Sequence, residues 1–453
     1  MIRSGWVETQ VGSIAVLLRG ISYKKYQASK LPAAGYSPVL RANNINGTLN
    51  FDDLVFVPNN LIKKEQFIKK GDIIFAMSSG SKHLVGKSAQ SQTDYNGSYG
   101  AFCSLLRVSD CLSKKYVARF FQSNSFKRLI SEIAKGTNIN NLKREHIINF
   151  TISLPPLPEQ LAIVAKLEQL LGALGNGIAN LKAAKEKLET YRQSVLKTAF
   201  EGKLLDGEKD NPSNIVRKGW RQETISAVCE VNPPKPVTDD EVEITFLPMS
   251  SVEEETGKYC STGAKRYEQV KSGYTGFLKG DVLFAKITPC MENGKVALID
   301  KLPNQIGFGS TEFHVIRPSE EIQGKWLFYF LVQRRLRGFA RNQMTGSAGQ
   351  LRVPKSFIQN LRISFPSLPE QRAIVSTIES RFAVCDKLSR DIDEALEKSQ
   401  AMRQSILKKA FDGGLLSKAE LRECREQPDW EPAAKLLQRI KANKPSKPAK
   451  RKK

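Results

Sequence analysis

Residues 157–205 read LPEQLAIVAKLEQLLGALGNGIANLKAAKEKLETYRQSVLKTAFEGKLL, and residues 368–416 read LPEQRAIVSTIESRFAVCDKLSRDIDEALEKSQAMRQSILKKAFDGGLL. The second stretch is the first shifted by 211 residues without a gap, with 21 of 49 positions identical. Such a repeat fixes the architecture before any other signal. In the first copy, apolar residues fall at Leu167, Leu171, Leu174, Ile178, Leu181, Leu188 and Val195, in steps of four and three that widen to seven. This is the heptad spacing of a coiled-coil seam. The second copy carries Ile378, Phe382, Cys385, Ile392, Leu396 and Ile406 along its own seam. Gly172, Gly175 and Gly177 lower the helix propensity of the first copy, so packing must hold it there. The lead-ins LPPLPEQ and FPSLPEQ supply prolines where a helix start tolerates them, and Gly202 and Gly413-Gly414 mark the ends.

What lies outside the repeated helices also recurs. Gly71-Asp72-Ile73-Ile74-Phe75-Ala76 returns as Gly280-Asp281-Val282-Leu283-Phe284-Ala285, and Gly5-Trp6 returns as Gly219-Trp220. A helix-like stretch over 114–135 is matched by 326–341. The expected fold is α+β: two α/β domains separated by two long helices that pair as an antiparallel coiled coil with a pseudo-two-fold axis. The expected boundaries are a first domain at 1–156, a first spacer helix at 157–210, a second domain at 211–366, a second spacer helix at 367–420 and a basic tail at 421–453. Paired this way, the helices form a rod with a domain at each end. About 40 helical residues span roughly 60 Å, enough to separate two DNA half-sites about 34 Å apart. The plainer alternative is two unrelated surface helices.

The charge balance indicates what such a molecule would hold. Lys and Arg number 70 against 46 Asp and Glu, a formal net charge of +24. A surplus of that size attracts polyanions, nucleic acid first, with an anionic membrane surface as the rival. No stretch reads as a membrane span, and the N-terminus lacks the apolar run of a signal peptide. Seven cysteines without a CxxC pair fit reduced thiols rather than a disulfide framework or a zinc site, and the expected location is the cytoplasm. His83, His146 and His314 show no ligand-like spacing. Neither a GxxxxGK[ST] loop nor a GxGxxG opening occurs. Asn232-Pro233-Pro234-Lys235 resembles the Asn-Pro-Pro-aromatic motif of adenine amino-methyltransferases, but Lys235 stands in place of the aromatic, and a turn entering the second domain is the better reading. The lysine-rich 442–453 segment either adds nonspecific DNA affinity or aids solubility.

Candidate base-reading residues lie in loops between strands. In the first domain they are Arg41, Asn43, Asn44 and Asn46, then Ser78, Ser79, Ser81 and Lys82 with Lys87, then Asn138, Asn140 and Asn141, and the basic-aromatic cluster Lys24, Lys25 and Tyr26. In the second they are Lys286, Thr288, Glu292, Asn293 and Lys295, then Ser347, Gln350 and Arg352. Asn suits a bidentate contact with adenine and Arg one with guanine; Ser and Lys suit phosphate. Arg41→Ala or Asn44→Ala is expected to lower specific affinity more than nonspecific affinity.

The paired LPEQ-led helices, GDVLFAKITPCMENGK in the second domain, and RANNIN and AMSSGSK in the first together resemble the DNA-specificity subunit of Type I restriction-modification systems, over nearly the whole chain. The resemblance implies that each variable domain reads one half of a split, asymmetric duplex DNA sequence and that the paired helices set the gap. It implies as partners two methyltransferase subunits, which carry S-adenosylmethionine, and restriction subunits, which use ATP and Mg. No metal, cofactor or catalytic residue is expected in this chain. The rival classes are an independent nuclease or methyltransferase, and a coiled-coil scaffold for proteins.

Overall fold

The computed structural model describes residues 3–78, 85–135, 141–205, 219–260, 263–347 and 349–443. The chain divides into two compact units, residues 1–180 with 395–453, and residues 181–394. Each unit therefore contains one α/β domain, the first part of the long helix that follows it, and the last part of the other long helix.

The two domains share the strand order of their central sheet, while a second sheet has three strands in the first domain and four in the second. In the first unit a four-stranded antiparallel sheet runs in the order Ala15–Arg19, Cys103–Val108, Ile73–Ala76, Ser88–Gln90; in the second the order is Cys229–Val231, Phe313–Pro318, Val282–Ala285, Val296–Leu298. The repeated GDIIFA and GDVLFA runs supply a central strand in each. Ile73, Ile74, Phe75 and Ala76 are all buried because both faces of the sheet are covered. Side chains alternate along a strand, so Ile73 and Phe75 enter the core shared with the helices while Ile74 and Ala76 enter a second, smaller core. Val282 and Phe284 divide from Leu283 and Ala285 in the same way. The aspartate before each strand has a structural task. The Asp72 carboxylate accepts from Arg107 Nε at 2.9 Å and the Lys69 N–H at 2.8 Å; Asp281 accepts from Arg317 Nε at 2.8 Å and the Leu278 N–H at 2.7 Å.

The stretch expected as one helix over 114–135 is two, Lys114–Phe120 and Asn124–Lys135, with a counterpart pair at Gly324–Leu331 and Arg334–Asn342. The break lets Phe121 and Phe126 both meet Phe75 edge-on, at 4.8 and 6.0 Å between ring centroids.

The long helices are Leu157–Phe200 and Leu368–Phe411, each 44 residues and unbroken, the first running straight through Gly172, Gly175 and Gly177. They pair antiparallel. In the second unit Lys185 meets Asp393 at 2.6 Å and Arg192 meets Asp386; in the first, Leu167 and Leu171 share a core with Leu407, Ala410 and Phe411. Seam residues are buried near the sheets, whereas Leu174, Ile178, Leu181 and Leu188 are only half-buried, as expected where two helices have no further neighbour. By length and composition the first helix contains a stretch apolar enough to cross a membrane, which corrects the sequence reading. Its Ile163, Val164, Leu167 and Leu171 lie in the core of the first unit.

The LPEQ motif anchors each helix to its domain. Trp6 Nε1 donates to Glu159 at 2.8 Å, and Trp220 Nε1 to Glu370 at 3.2 Å. Gln160 accepts the Ser113 N–H at 3.0 Å and donates to the Pro155 carbonyl; Gln371 accepts the Gln323 N–H at 2.9 Å and donates to the Pro366 carbonyl. Gly-Trp and LPEQ thus recur together because they are two sides of one contact.

The segment read as a basic tail from 421 is mostly not a tail. Helices Lys418–Arg425 and Ala433–Ala442 bury Leu421, Cys424, Leu436, Leu437 and Ile440 in the core of the first unit, and the Ala433 N–H donates to the Gly5 carbonyl at 3.1 Å. Residues 444–453 lie outside the described residues.

Candidate nucleic-acid interface

The central strand of each domain runs out into a loop that meets a second, distant loop. In the first unit Ser78 bridges Asn141, and the Leu142 N–H donates to the Met77 carbonyl at 2.6 Å. In the second, Ile287 bridges Arg352, and the Thr288 N–H donates to the Leu351 carbonyl at 3.0 Å. Two candidate loops in each domain are therefore neighbours, joined at corresponding places. Ser79, Ser81, Lys82, Asn138 and Asn140 lie outside the described residues, as does His83.

The Arg41–Asn46 loop is built on a 3₁₀ turn, Ala42–Asn44. Asn44 holds that turn. It is 2% exposed, its Oδ1 accepts the Arg41 N–H at 2.8 Å and its Nδ2 donates to the Asp52 carbonyl at 2.8 Å. With both ends of the amide engaged and the side chain buried, Asn44 belongs to the scaffold and does not face a base, which corrects its expected role. Asn43 and Asn46 are exposed. Asn46 Oδ1 accepts from Lys87 Nζ at 2.8 Å, joining the first loop to the segment after the central strand. Arg41 reaches Asp53 at 2.6 Å, so a base would have to exchange with that carboxylate. Lys24 lies over the ring of Tyr26 at 5.7 Å and Tyr26 is 79% exposed, with Lys25 beside it in the same short turn. Among the described residues no side-chain hydrogen bond, ion pair or ring contact joins this cluster to the other loops.

In the second unit the candidate residues are more fully engaged. Arg352 pairs with Glu312 through Nε and Nη2 at 2.9 and 2.8 Å, and its Nη1 donates to the Gln350 carbonyl. The Arg352 hydrogen bonds hold the Glu312 carboxyl below its usual range. Thr288 Oγ1 donates to the Gly349 carbonyl at 3.3 Å, Asn293 Nδ2 to Glu254 at 2.7 Å and Lys295 Nζ to the Met249 carbonyl at 3.2 Å, while Glu292 pairs with Arg341 at 3.0 Å. Ser347 and Gln350 are exposed, and Lys286 is half-buried with its carbonyl accepting the Val353 N–H.

Asn232, of the Asn-Pro-Pro stretch, has φ +52° and its Oδ1 accepts the Val315 N–H at 2.9 Å. Its Nδ2 lies 3.1 Å from His314 Nδ1, and His314 Nε2 meets the Val353 carbonyl at 2.8 Å. Burial pushes the His314 pKa down. This is a strand-locking network, with the amide engaged at both ends. Likewise His146 accepts the Lys143 N–H at a helix start. Among the described residues no group of three His, Cys, Asp or Glu side chains is placed to hold a metal ion, and all seven cysteines are free thiols.

Sequence reasoning missed a cleft of about 600 Å³ in the first unit, lined by Lys87, Arg119, Lys127 and Arg403 over Phe121 and Phe126. Its rim includes Asn46, Gly47 and Thr48, so it adjoins the Arg41–Asn46 loop. Arg403 stands in the repeated RQS step, which was the one available signal.

A family model described as Type I restriction modification DNA specificity domain matches residues 3–184 and again 217–398. The StySPI specificity subunit of a Type I restriction enzyme from Salmonella potsdam is 33% identical over 97% of this chain and 96% of its own length. The EcoKI specificity subunit of Escherichia coli strain K12 is 32% identical, over the same shares of the two chains. Among solved structures, a chain from a study of complex assembly and conformational transition in the type I R-M system superposes with a TM-score of 0.71 at 19% identity, covering 92% of this chain and all of that one. The HsdS subunit of Thermoanaerobacter tengcongensis gives 0.54 at 19% identity, covering 91% and 98%.

Proposed function

The chain belongs to the Type I restriction-modification DNA specificity family, and from that premise we propose that it reads a split, asymmetric DNA sequence and directs methyltransferase and restriction subunits to it. The observation that carries the reading is one scaffold used twice with different loops. The strand orders of the central sheets agree and the loop junctions correspond, yet Ser78 with Asn141 in one unit stands where Ile287 with Arg352 stands in the other. Loops of different chemistry on a shared frame select different bases, so the two halves of the target differ. The paired helices fix the unspecified gap and dock two methyltransferase subunits.

S-adenosylmethionine, ATP and Mg belong to the partner subunits, and this chain supplies recognition without catalysis. Its place of work is the cytoplasm, in contact with the chromosome. The test is single-molecule sequencing of DNA modification in cells carrying the chain and its cognate methyltransferase subunit, against cells lacking the chain. A split, asymmetric motif methylated only in its presence is the expected result. Chain-independent methylation, with the methyltransferase present and folded, would overturn the proposal.

A further inference from the structure

The repeated RQS step places one arginine in each unit, Arg192 in the second and Arg403 in the first, and each lines a cleft of its own unit. The two clefts differ in charge. In the second unit every arginine of the cleft has a carboxylate: Arg192 pairs with Asp386, Arg334 and Arg337 share Glu255, and Arg341 takes Glu292. Glu189 adds a further acid beside Arg192 at 3.9 Å.

In the first unit the repeat has lost these acids. At the 211-residue shift Gly175 stands in the place of Asp386, and Gln400 in the place of Glu189. The repeat relates the Arg192–Asp386 pair to Arg403 and Gly175, and a Cβ at Gly175 would meet nothing within 4 Å. Among the described residues, the cleft that results is lined by four cations and by no carboxylate. Burial lowers the pKa of Arg119 and of Lys127, and the Arg403 charge lowers both further, while Glu168 opposes this at Arg119. Like charges gathered partly out of water are costly unless an anion joins them.

We infer that this cleft is a phosphate-binding site for the DNA backbone, and that the chain grips phosphate here and not in the corresponding cleft of the second unit. The inference rests on the DNA-reading function proposed above. DNA is favoured over an acidic protein segment because the rim of the cleft is the Asn46–Thr48 turn and Lys87, next to the exposed Asn43 and Asn46. A phosphate held there is adjacent to the base edges those amides would read, which is how backbone contacts fix register.

The test is equilibrium binding of the full chain to a short random-sequence duplex, between about 50 and 200 mM salt. Arg403→Ala should weaken binding several-fold and reduce the slope of log affinity against log salt by about 0.9 for each phosphate no longer neutralised. Gly175→Asp restores the missing carboxylate while keeping the arginine, and should do the same. Arg192→Ala, with thermal unfolding checked for all three variants, should leave the slope unchanged. Slopes unchanged in both Arg403→Ala and Gly175→Asp would overturn the inference, as would an equal loss in Arg192→Ala. Intact duplex binding with weakened methyltransferase-subunit binding would assign the cleft to a protein partner instead. If the unaltered chain binds no duplex, the DNA-reading function falls with the inference; if it binds and the slopes do not move, only the inference falls.

Discussion

The Asn44 amide engages the Arg41 N–H and the Asp52 carbonyl from a buried position, while Asn43, one residue earlier, is exposed. Identical side chains therefore have different work, and substitution separates them. Asn44→Ala removes two part-buried hydrogen bonds, each worth about 0.5–1.5 kcal/mol of stability. Thermal melting should show the loss, with specific and random-sequence binding falling together. Asn43→Ala should leave melting unchanged and, where the amide pairs with a base, cost about 1–3 kcal/mol at that base alone. Comparing target and random duplexes reads the difference. An Asn43→Ala variant that loses both affinities equally would reassign Asn43 to phosphate. The same logic applies to Arg41 and Arg352, whose guanidinium groups already hold Asp53 and Glu312. Binding through them is an exchange of carboxylate for base or phosphate, which favours the correct site only when the new contact is bidentate.

Among the elements, the helix Lys418–Arg425 makes a titratable contribution. Glu420 meets Lys166 at 2.7 Å and forms a capping box with Ser417, so the carboxyl is held at about 2. The folded value lies below the ordinary 4.5. The stabilisation is therefore fully present above the unfolded value and is lost as pH falls through the folded one. Glu420→Gln should lower the melting temperature at neutral pH, and the gap from the unaltered chain should close as pH approaches about 2; a gap constant with pH would show that the charge is not what matters. In the sequence that helix reads as tail. Its lysines and arginines outweigh Leu421 and Cys424, and beyond it Leu436, Leu437 and Ile440 at helical spacing, although all five are core residues. The long helices are legible because a heptad is a local pattern that survives without knowledge of the partner. The link from Trp6 to Glu159 is not, since it joins residues 153 apart and leaves in sequence only the joint recurrence of two short motifs. The cleft at Arg403 is hidden for a related reason: its cations come from the segment before Ser88–Gln90, two consecutive helices and the second long helix, and what matters most is an absence, Gly175 where the repeat has Asp386.

At the scale of the whole molecule, the repeat separates what is held fixed from what varies. The fixed part is the frame: the two sheets of the same order, the Asp72–Arg107 and Asp281–Arg317 pairs, and the Glu-Gln step that fastens each long helix to its domain. The varying part includes the loops joined at that frame, by Ser78 against Asn141 and by Ile287 against Arg352. On the proposed function, a loop joined to the frame can change its side chains without moving the sheet, and specificity in one unit should then be separable from stability and from the other unit. The consequence is testable by exchange. Replacing residues 286–295 together with 345–352 by the corresponding loops of a relative with a different target should change one half of the methylated sequence and leave the other half and the gap as they were. Sequencing of modified genomic DNA reads all three at once. Both loops must be exchanged together, because the Thr288–Leu351 and Thr288–Gly349 hydrogen bonds join them; exchanging one alone should lower the melting temperature. A change in both halves from a replacement confined to the second unit would mean that the units do not read independently, and the modular account would fail.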